Sequence, residues 1–401
     1  MSAPGTVAWL DLVSRFRRLL STSRDSAETV RESNTLSASG RIRVASSLAD
    51  VGLTADEWNT LAAQSATNSV FQTHEWTLSW LSAFGDEYQP LLVVASDNGH
   101  VSGVAPLVID TRQGERVIRF AGDGRADYCD ILGARNNPEV ATALVDAICA
   151  DDRWDVIELN NIPEDSLTAD IVRRRSTRYG YQVLSNEMFV CPTLLVAGHE
   201  KEARVIGEKP SLRRRENHFR RRGRLVCRDL KTEAEVAPYL DRFFEQHVER
   251  WSSARSSPSL FVNDRNKAFY RRLTTSLAAK GWLLFTVIEF DDEPIAFHFG
   301  FDYDSTITWY KPSFNVKYAS AAPGLVLVQH LIRHAIEQNR TELDFTVGNE
   351  PFKRRFTNHE RRTVSVRVFR DSLRFQRERL RGTVASAIKS VWRAGAASTH
   401  G

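Results

Sequence analysis

The chain is poor in sulfur and has no long apolar run. Its four cysteines stand alone at 129, 149, 191 and 227, with no Cys-x-x-Cys pair, and there are two methionines. Isolated thiols argue against a disulfide scaffold or a zinc ribbon, and for reduced cysteines in a cytoplasmic setting. Nowhere do ~18–20 apolar residues follow one another, so no membrane-spanning helix is expected. The apolar patch near the N-terminus is broken by Asp11, Arg15, Arg17 and Arg18 and is not a secretory h-region. Several catalytic templates are also missing: Gly-x-Gly-x-x-Gly after a strand, a Walker loop, His-Glu-x-x-His and Gly-x-Ser-x-Gly. His330 and His334 are spaced i, i+4 on a helix but have no third ligand nearby in sequence, so no metal is expected.

What is present describes a soluble globular protein. The 401 residues are 42 % hydrophobic and 26 % charged, enough for two or three domains with a real core. The net charge of +4 hides an asymmetry. Lys201 to Leu230 holds eleven basic and four acidic residues, and Lys353 to Arg393 thirteen and three, so the remainder is acidic. Basic blocks this local suit nucleic acid, anionic lipid or small-molecule phosphates, or form a solvated helix face.

Residues 1–45 read as a poorly ordered lead-in, with Trp9, Val13, Phe16 and Leu20 on one face of an amphipathic helix. That helix suits a membrane surface or the protein's own body. Thr54-Ala-Asp-Glu57 is a capping box, and Trp76, Trp80 and Phe84 form a core stripe on the next helix. A hairpin turning at Asp97-Asn-Gly99, a strand from Val117, a helix capped by Asn137 and a strand at Asp155–Leu159 follow. The same order then recurs from Asn263. LLVVASDNGHVSGVAPLVI aligns with LLFTVIEFDDEPIAFHFGF in both its apolar runs and its turn. The sequence therefore predicts a tandem duplication of one α/β domain: 46–200, then 201–370, with 371–401 a C-terminal amphipathic helix and tail. Leu373, Leu380, Val384, Ile388 and Val391 make the stripe of that last helix. At the join, Pro210 opens a helix carrying the basic run Arg213–Arg222, and Thr232 and Glu235 box the helix after it.

The chemistry-bearing residues concentrate late in the chain. Pro323-Gly324 opens a helix whose free N–H groups and dipole suit a pyrophosphate. Lys353 follows a Gly-bearing loop after a strand, where a cation can bind phosphate or a developing oxyanion. In the first half, Asp127, Tyr128 and Asp130 form the most polar loop.

A set of short motifs carries a family resemblance. It runs through Phe71-x-x-x-Glu75-Trp76, Ala105-Pro-Leu107, Phe120-Ala-Gly122, Asp127-Tyr-Cys-Asp130 and Trp154-Asp-x-Ile-Glu-Leu159. It continues through the Arg213–Arg224 tract, Glu249-Arg-Trp251, Pro294-Ile-Ala296, Tyr310-Lys-Pro-Ser-Phe314 and Pro323-Gly324. It ends at Asp344-Phe345 and Gly348-x-Glu350-x-Phe352-Lys353-x-x-Phe356. In this order the motifs, over about residues 50–370, resemble the bacterial CelD/BcsL-type acyltransferases with BioF-like acetyltransferase domains. That family is related to the FemABX transferases.

The resemblance implies an α/β fold of tandem GNAT-like domains, each a mixed, mostly antiparallel sheet flanked by helices. It implies an acyl-CoA donor, commonly acetyl-CoA, an amine or hydroxyl acceptor, and a link to exopolysaccharide or cellulose biosynthesis. The usual GNAT Gln/Arg-x-x-Gly-x-Gly/Ala loop is absent from both halves, so Ala322, Pro323, Gly324 and Leu325 are expected to hold the pyrophosphate. Direct transfer then needs a base, for which His298 and Glu350 are candidates, and an acid toward the thiolate, Tyr310. Lys353 would bind acceptor or stabilise negative charge; Asp344 would orient it, and Asp127, Tyr128 and Asp130 would hold a small-molecule or glycan acceptor. The expected partners are that acceptor and polysaccharide-synthesis machinery, with peripheral membrane contact left open. Two alternatives remain: a FemABX-like aminoacyl-tRNA-dependent transferase, the one case that expects nucleic acid, or a non-catalytic binding subunit.

Overall fold

The computed structural model describes residues 41–133, 137–253, 258–348 and 350–381. The proposed N-terminal stripe, and Val384, Ile388 and Val391 of the last one, lie outside the described residues. The first half runs β1 (Arg41–Ala45), α1 (Leu48–Val51), α2 (Ala55–Ala62), α3 (His74–Phe84), β2 (Gln89–Asp97) and β3 (His100–Asp110). It ends with β4 (Val117–Phe120), α4 (Pro138–Ala150), β5 (Val156–Pro163), α5 (Thr168–Arg178) and β6 (Gln182–Leu195). The second half begins with α6 (Glu200–Gly207), α7 (Pro210–Arg220), β7 (Leu225–Leu230), α8 (Glu233–Ser253) and α9 (Asp264–Ala279). Then come β8 (Leu283–Phe290), β9 (Glu293–Tyr303), β10 (Thr306–Phe314), α10 (Pro323–Glu337), β11 (Glu342–Asp344), α11 (Pro351–Arg354) and β12 (His359–Phe369).

Local signals act as their chemistry requires. Thr54 and Glu57 form the reciprocal capping box of α2. Thr232 and Glu235 repeat it ahead of α8, the Thr232 hydroxyl donating to Glu235 at 2.7 Å. Both hairpins turn through paired left-handed residues, Asn98 and Gly99 in one half, Asp291 and Asp292 in the other. That geometry matches the twist of the flanking strands.

All twelve strands join one sheet, in the order β1-β2-β3-β4-β5-β12-β6-β11-β10-β9-β8-β7. Exchanging each strand for its counterpart in the other half, β1 for β7 through β6 for β12, returns the same order reversed. The parallel pairs are counterparts too: β4 with β5 and β10 with β11. Each half gives its last strand to the other, β12 pairing β5 and β6 pairing β11. Residues 41–45, expected to belong to the lead-in, instead form the edge strand β1 against β2.

The core follows the period-two alternation of the strands. In β8, Phe285 and Val287 face α8 and α9, whereas Leu284 and Ile288 face α10. Trp76 of α3 meets Phe269 of α9 edge-on at 5.3 Å, so the two counterpart helices cross at the seam. Phe71, Phe301 and Tyr310 complete that aromatic cluster. Burying such a side chain contributes ~1.5–3 kcal/mol, so the seam is a major source of stability. Trp76 and Trp80 are core residues, as their stripe predicts. In the C-terminal helical stretch, residues 372–381, Phe375 packs on Phe369 while Leu373 and Leu380 of the expected stripe are exposed.

Candidate functional site

Strands β10 and β11 stay paired for only three positions, from Thr306–Glu342 to Thr308–Asp344. Beyond them β10 bulges between Thr308 and Lys311 and runs on to Phe314. The chain leaving β11 turns toward β6, where the Phe345 N–H donates to Pro192 O at 3.0 Å. The wedge between them is a cavity of about 360 Å³. Its walls are the end of β10, the start of α10, the segment from Thr346 to Lys353, the end of α8, and Asp127 from the first half.

The helix end on this cavity is bare. Ala322 precedes α10 in a left-handed conformation (φ 55°), no side chain caps the helix, and its first turn holds no acidic residue. Pro323 has no N–H and the Leu325 N–H donates back to Ala322 O at 3.0 Å, so the Gly324 N–H and the helix dipole present the positive potential to the cavity. Ala322, Gly324 and Leu325 line it, and Pro323 is the first helical residue.

The opposite wall is strained. Thr346, a β-branched residue, holds φ 53°, a conformation that costs on the order of 1–3 kcal/mol. It is fixed by its N–H donating to Asp344 Oδ1 at 2.7 Å and its hydroxyl donating to Trp309 O at 3.1 Å. Gly348 follows at φ 130°, where a Cβ would lie 2.3 Å from Glu350 Oε2 and 2.8 Å from Lys353 Nζ. The positive φ favours glycine, and a side chain here would also have to displace the ends of Glu350 and Lys353. Lys353 is 4 % exposed, donates to Val347 O at 2.8 Å and pairs with Glu350 at 3.1 Å.

Charges of both signs face each other here. Burial pushes the Asp127 carboxyl up, opposed by the charges of Lys311 and Lys353. Burial lowers the Lys311 ammonium, which Asp127 partly restores; its Nζ sits 3.8 Å from the Tyr310 ring centre. Tyr310 accepts from the Tyr270 hydroxyl at 3.0 Å and donates to Arg125 O at 2.6 Å. Burial holds its phenol well above 10, so it keeps its proton.

Of the residues expected at the site, the structure brings Asp127, Tyr310, Ala322, Gly324, Leu325, Glu350 and Lys353 onto one cavity. Tyr128 and Asp344 lie behind it as a buried pair joining the halves, the phenol donating to Asp344 Oδ2 at 2.8 Å. Asp130 is elsewhere: it accepts from Ser166 (2.9 Å) and Thr168 (2.5 Å) at the start of α5.

His298 does not reach the cavity. It faces away from Phe297 and Phe299 as alternation requires, but that side is the α10 face of the sheet. There it is wholly buried, stacked on Trp309 and seated over Gly300, with Nε2 accepting the Tyr310 N–H at 3.3 Å. Burial depresses its pKa to about 3. It is not placed to take a proton from a substrate in the cavity.

Sequence reasoning did not single out four cavity residues that sat inside its own motifs or beside them. Arg250 donates to Pro312 O at 2.7 Å and lies 4.6 Å from the Phe314 ring centre. His247 stacks on Trp251, and its Nδ1 meets Ser259 Oγ at 2.8 Å. Lys311 is the fourth. The Glu-Arg-Trp and Tyr-Lys-Pro-Ser-Phe motifs contained the signal.

The histidine pair on α10 does have a third partner. Asp229 of β7 approaches His330 and His334 at 2.9 and 2.8 Å. No sequence spacing could show this, because 101 residues separate Asp229 from His330.

Residues 209–354, which span the whole second-half wall of this cavity, match the family model described as an acetyltransferase (GNAT) domain. No curated protein matches the chain. Among solved structures it is similar to FemX, with 11 % identity and a TM-score of 0.56 over 78 % of this chain and 96 % of that one. A conserved protein of unknown function from Bacteroides thetaiotaomicron gives 12 %, 0.54, 82 % and 100 % in the same order. L-PGS from Bacillus licheniformis gives 12 %, 0.50, 80 % and 92 %. Likeness at these identities establishes fold alone. No helix among the described residues is long and apolar enough to cross a membrane. The chain is thus a mixed α/β protein of two halves with one strand topology in tandem, the second of which matches the acetyltransferase (GNAT) domain and carries most of the cavity wall.

Proposed function

We propose that the protein is an acyl-CoA-dependent acyltransferase, using acetyl-CoA and transferring the acyl group to an amine or hydroxyl. The observation that carries this reading is the uncapped start of α10, opening on a cavity that also holds Lys311 and Lys353. A pyrophosphate at Ala322–Leu325 replaces the missing side-chain cap and needs no glycine-rich loop. The thioester then lies in the wedge between β10 and β11.

Asp127 takes the acceptor's proton, because burial raises its carboxyl toward the working range of a general base. Lys311 and Lys353 stabilise the developing oxyanion, and the proton taken by Asp127 passes to the departing thiolate, while the buried Tyr310 phenol keeps its own. Glu350, more than half exposed at the rim, sets the position of Lys353. A glycan or small-molecule acceptor in exopolysaccharide synthesis, in the cytoplasm and with that machinery as partner, extends the CelD/BcsL resemblance.

The test is thermal unfolding with millimolar acetyl-CoA, free CoA or ATP. A ligand at a hundred times its Kd adds about 2.7 kcal/mol, a shift of a few degrees in a chain this long. Stabilisation by acetyl-CoA and CoA but not ATP is the expected result. No shift in a folded sample sinks the donor assignment.

A second reading, an aminoacyl-tRNA donor, draws support from α7. Its Arg213 and Arg214, with Arg221 and Arg222 just past its end, line a hollow with His218, and Arg215 donates to Ser320 O just ahead of α10. RNA binding that weakens steeply with salt, without any CoA effect, would favour it.

A further inference from the structure

One cluster of ligating side chains lies on α10 away from the cavity. His330 and His334 stand one turn apart on the face that covers the sheet, and Asp229 reaches them from the edge strand β7. Asp229 Oδ2 is 2.9 Å from His330 Nε2 and 2.8 Å from His334 Nδ1, and the three ligating atoms lie within 4.8 Å of one another. Thr286 of the neighbouring strand donates to the other carboxylate oxygen, Oδ1, at 2.8 Å and fixes its direction. Such an outer hydrogen bond is what orients a ligating carboxylate.

The counter-ions of this carboxylate are imidazoles; no lysine or arginine pairs with it among the described residues. Its side chain is 15 % exposed, and among the described residues its ion-pair partners are the two imidazoles. A carboxylate this far out of water needs a positive charge beside it. The His334 side chain is only 10 % exposed and has a buried Nε2 without a partner, so this group is not a closed hydrogen-bond network.

We propose that Asp229, His330 and His334 form a binding site for a zinc-class divalent cation that clamps β7 to α10. Two imidazole nitrogens and a carboxylate oxygen suit a borderline-soft, tetrahedral ion that keeps a water in its fourth position. Bonds of ~2.0–2.3 Å place tetrahedral ligand atoms ~3.3–3.7 Å apart. The present contacts are a little shorter, so the side chains part by a fraction of an ångström to admit the ion. Binding needs a free lone pair on each ligating nitrogen, so a protonated imidazole releases its proton and a neutral one carries its proton on the other ring nitrogen. The site is independent of the acyltransferase reading, since none of its three residues lines the cavity.

Cobalt(II) titrated into the metal-stripped full-length protein near pH 7.5 tests this. The expected result is one equivalent bound, with visible bands of a tetrahedral ion. His330→Ala and Asp229→Asn should each weaken binding at least 100-fold. Zinc should raise the unfolding temperature of the wild type, a readout that does not depend on any variant folding. Absence of both cobalt uptake and a zinc-induced shift would overturn the site and leave a hydrogen-bonded histidine–aspartate pair. Uptake unchanged in His330→Ala and Asp229→Asn would overturn it equally.

Discussion

The two halves share one topology and differ at one place. In the second half, β10 and β11 part, and the wedge stays open as a cavity. In the first, β4 and β5 part after Ile118 and Ile157, but the chain fills its own wedge. The Cys129 N–H donates to Asn161 O at 2.9 Å and the Asn161 amide to Ala126 O at 2.8 Å. The helices that follow differ in the same sense. The start of α4 is capped by Asn137, which accepts from the Val140 N–H at 3.1 Å, and carries Glu139 in its first turn. The start of α10 has neither. A duplicated fold thus has two potential anion sites, and one has been satisfied internally. What the first half retains is a supporting role: its filled wedge delivers Asp127 to the cavity of the other.

That asymmetry makes the sharpest prediction. Asp127→Asn keeps the shape of the wall and removes the base, so turnover should fall ~10²–10⁴-fold with the KM for acyl-CoA little changed. Steady-state kinetics decide it; near-wild-type turnover would move the base to Glu350. The helix start comes next. A Cβ at Gly324 meets only Phe314 Cδ1, at 3.8 Å, so Gly324→Asp fits and places a carboxylate where a pyrophosphate should lie. The KM for acyl-CoA should rise ~10-fold or more, about 1.4 kcal/mol. An unchanged KM would mean that the bare helix end binds nothing.

Much of the fold was readable because its signals are local. The hairpin turns, the two capping boxes and the repeated apolar runs each act within a few residues, and the duplication followed from their recurrence. The exchange of β6 and β12 was not readable, because no residue in either strand specifies which half it completes. For the site, Pro323-Gly324 and Lys353 stood out by residue type. His298 was misjudged because alternation gives two faces without saying which one the cavity uses. Lys311 lies just past a bulge, which interrupts the alternation by which faces are assigned. Asp229 was out of reach, since a strand and a helix far apart in sequence meet only in the folded chain.

The seam between the halves has its own pH signature. Burial, with Glu342 adding to it, pushes the Asp344 carboxyl from 3.8 up to about 6, against the hydrogen bonds from Thr346 and Tyr128. A carboxyl with a raised folded pKa stays protonated in the folded protein while the unfolded chain ionises. Its contribution is therefore full below about pH 4 and is lost as pH rises toward 6. A shift of two units corresponds to about 3 kcal/mol. Asp130, also raised to about 6 by burial, acts in the same direction. Denaturant melts of wild type and Asp344→Asn at pH 4, 5, 6 and 7 should show a smaller decline in the variant. Parallel curves would place the Asp344 pKa near its unfolded value.

The smallest expected effect is a control on the whole comparison. Asn137→Ala removes the side-chain cap of α4, leaving a helix start without one, as that of α10 already is. The loss should be about 1 kcal/mol of stability, the usual cost of an N-cap. It should not change the KM for acyl-CoA, because the wedge beside α4 stays filled by residues 126–131. If the uncapped α4 instead began to bind CoA or free pyrophosphate, a bare helix start would suffice on this fold. The open wedge would then have no part in selecting the second half as the site.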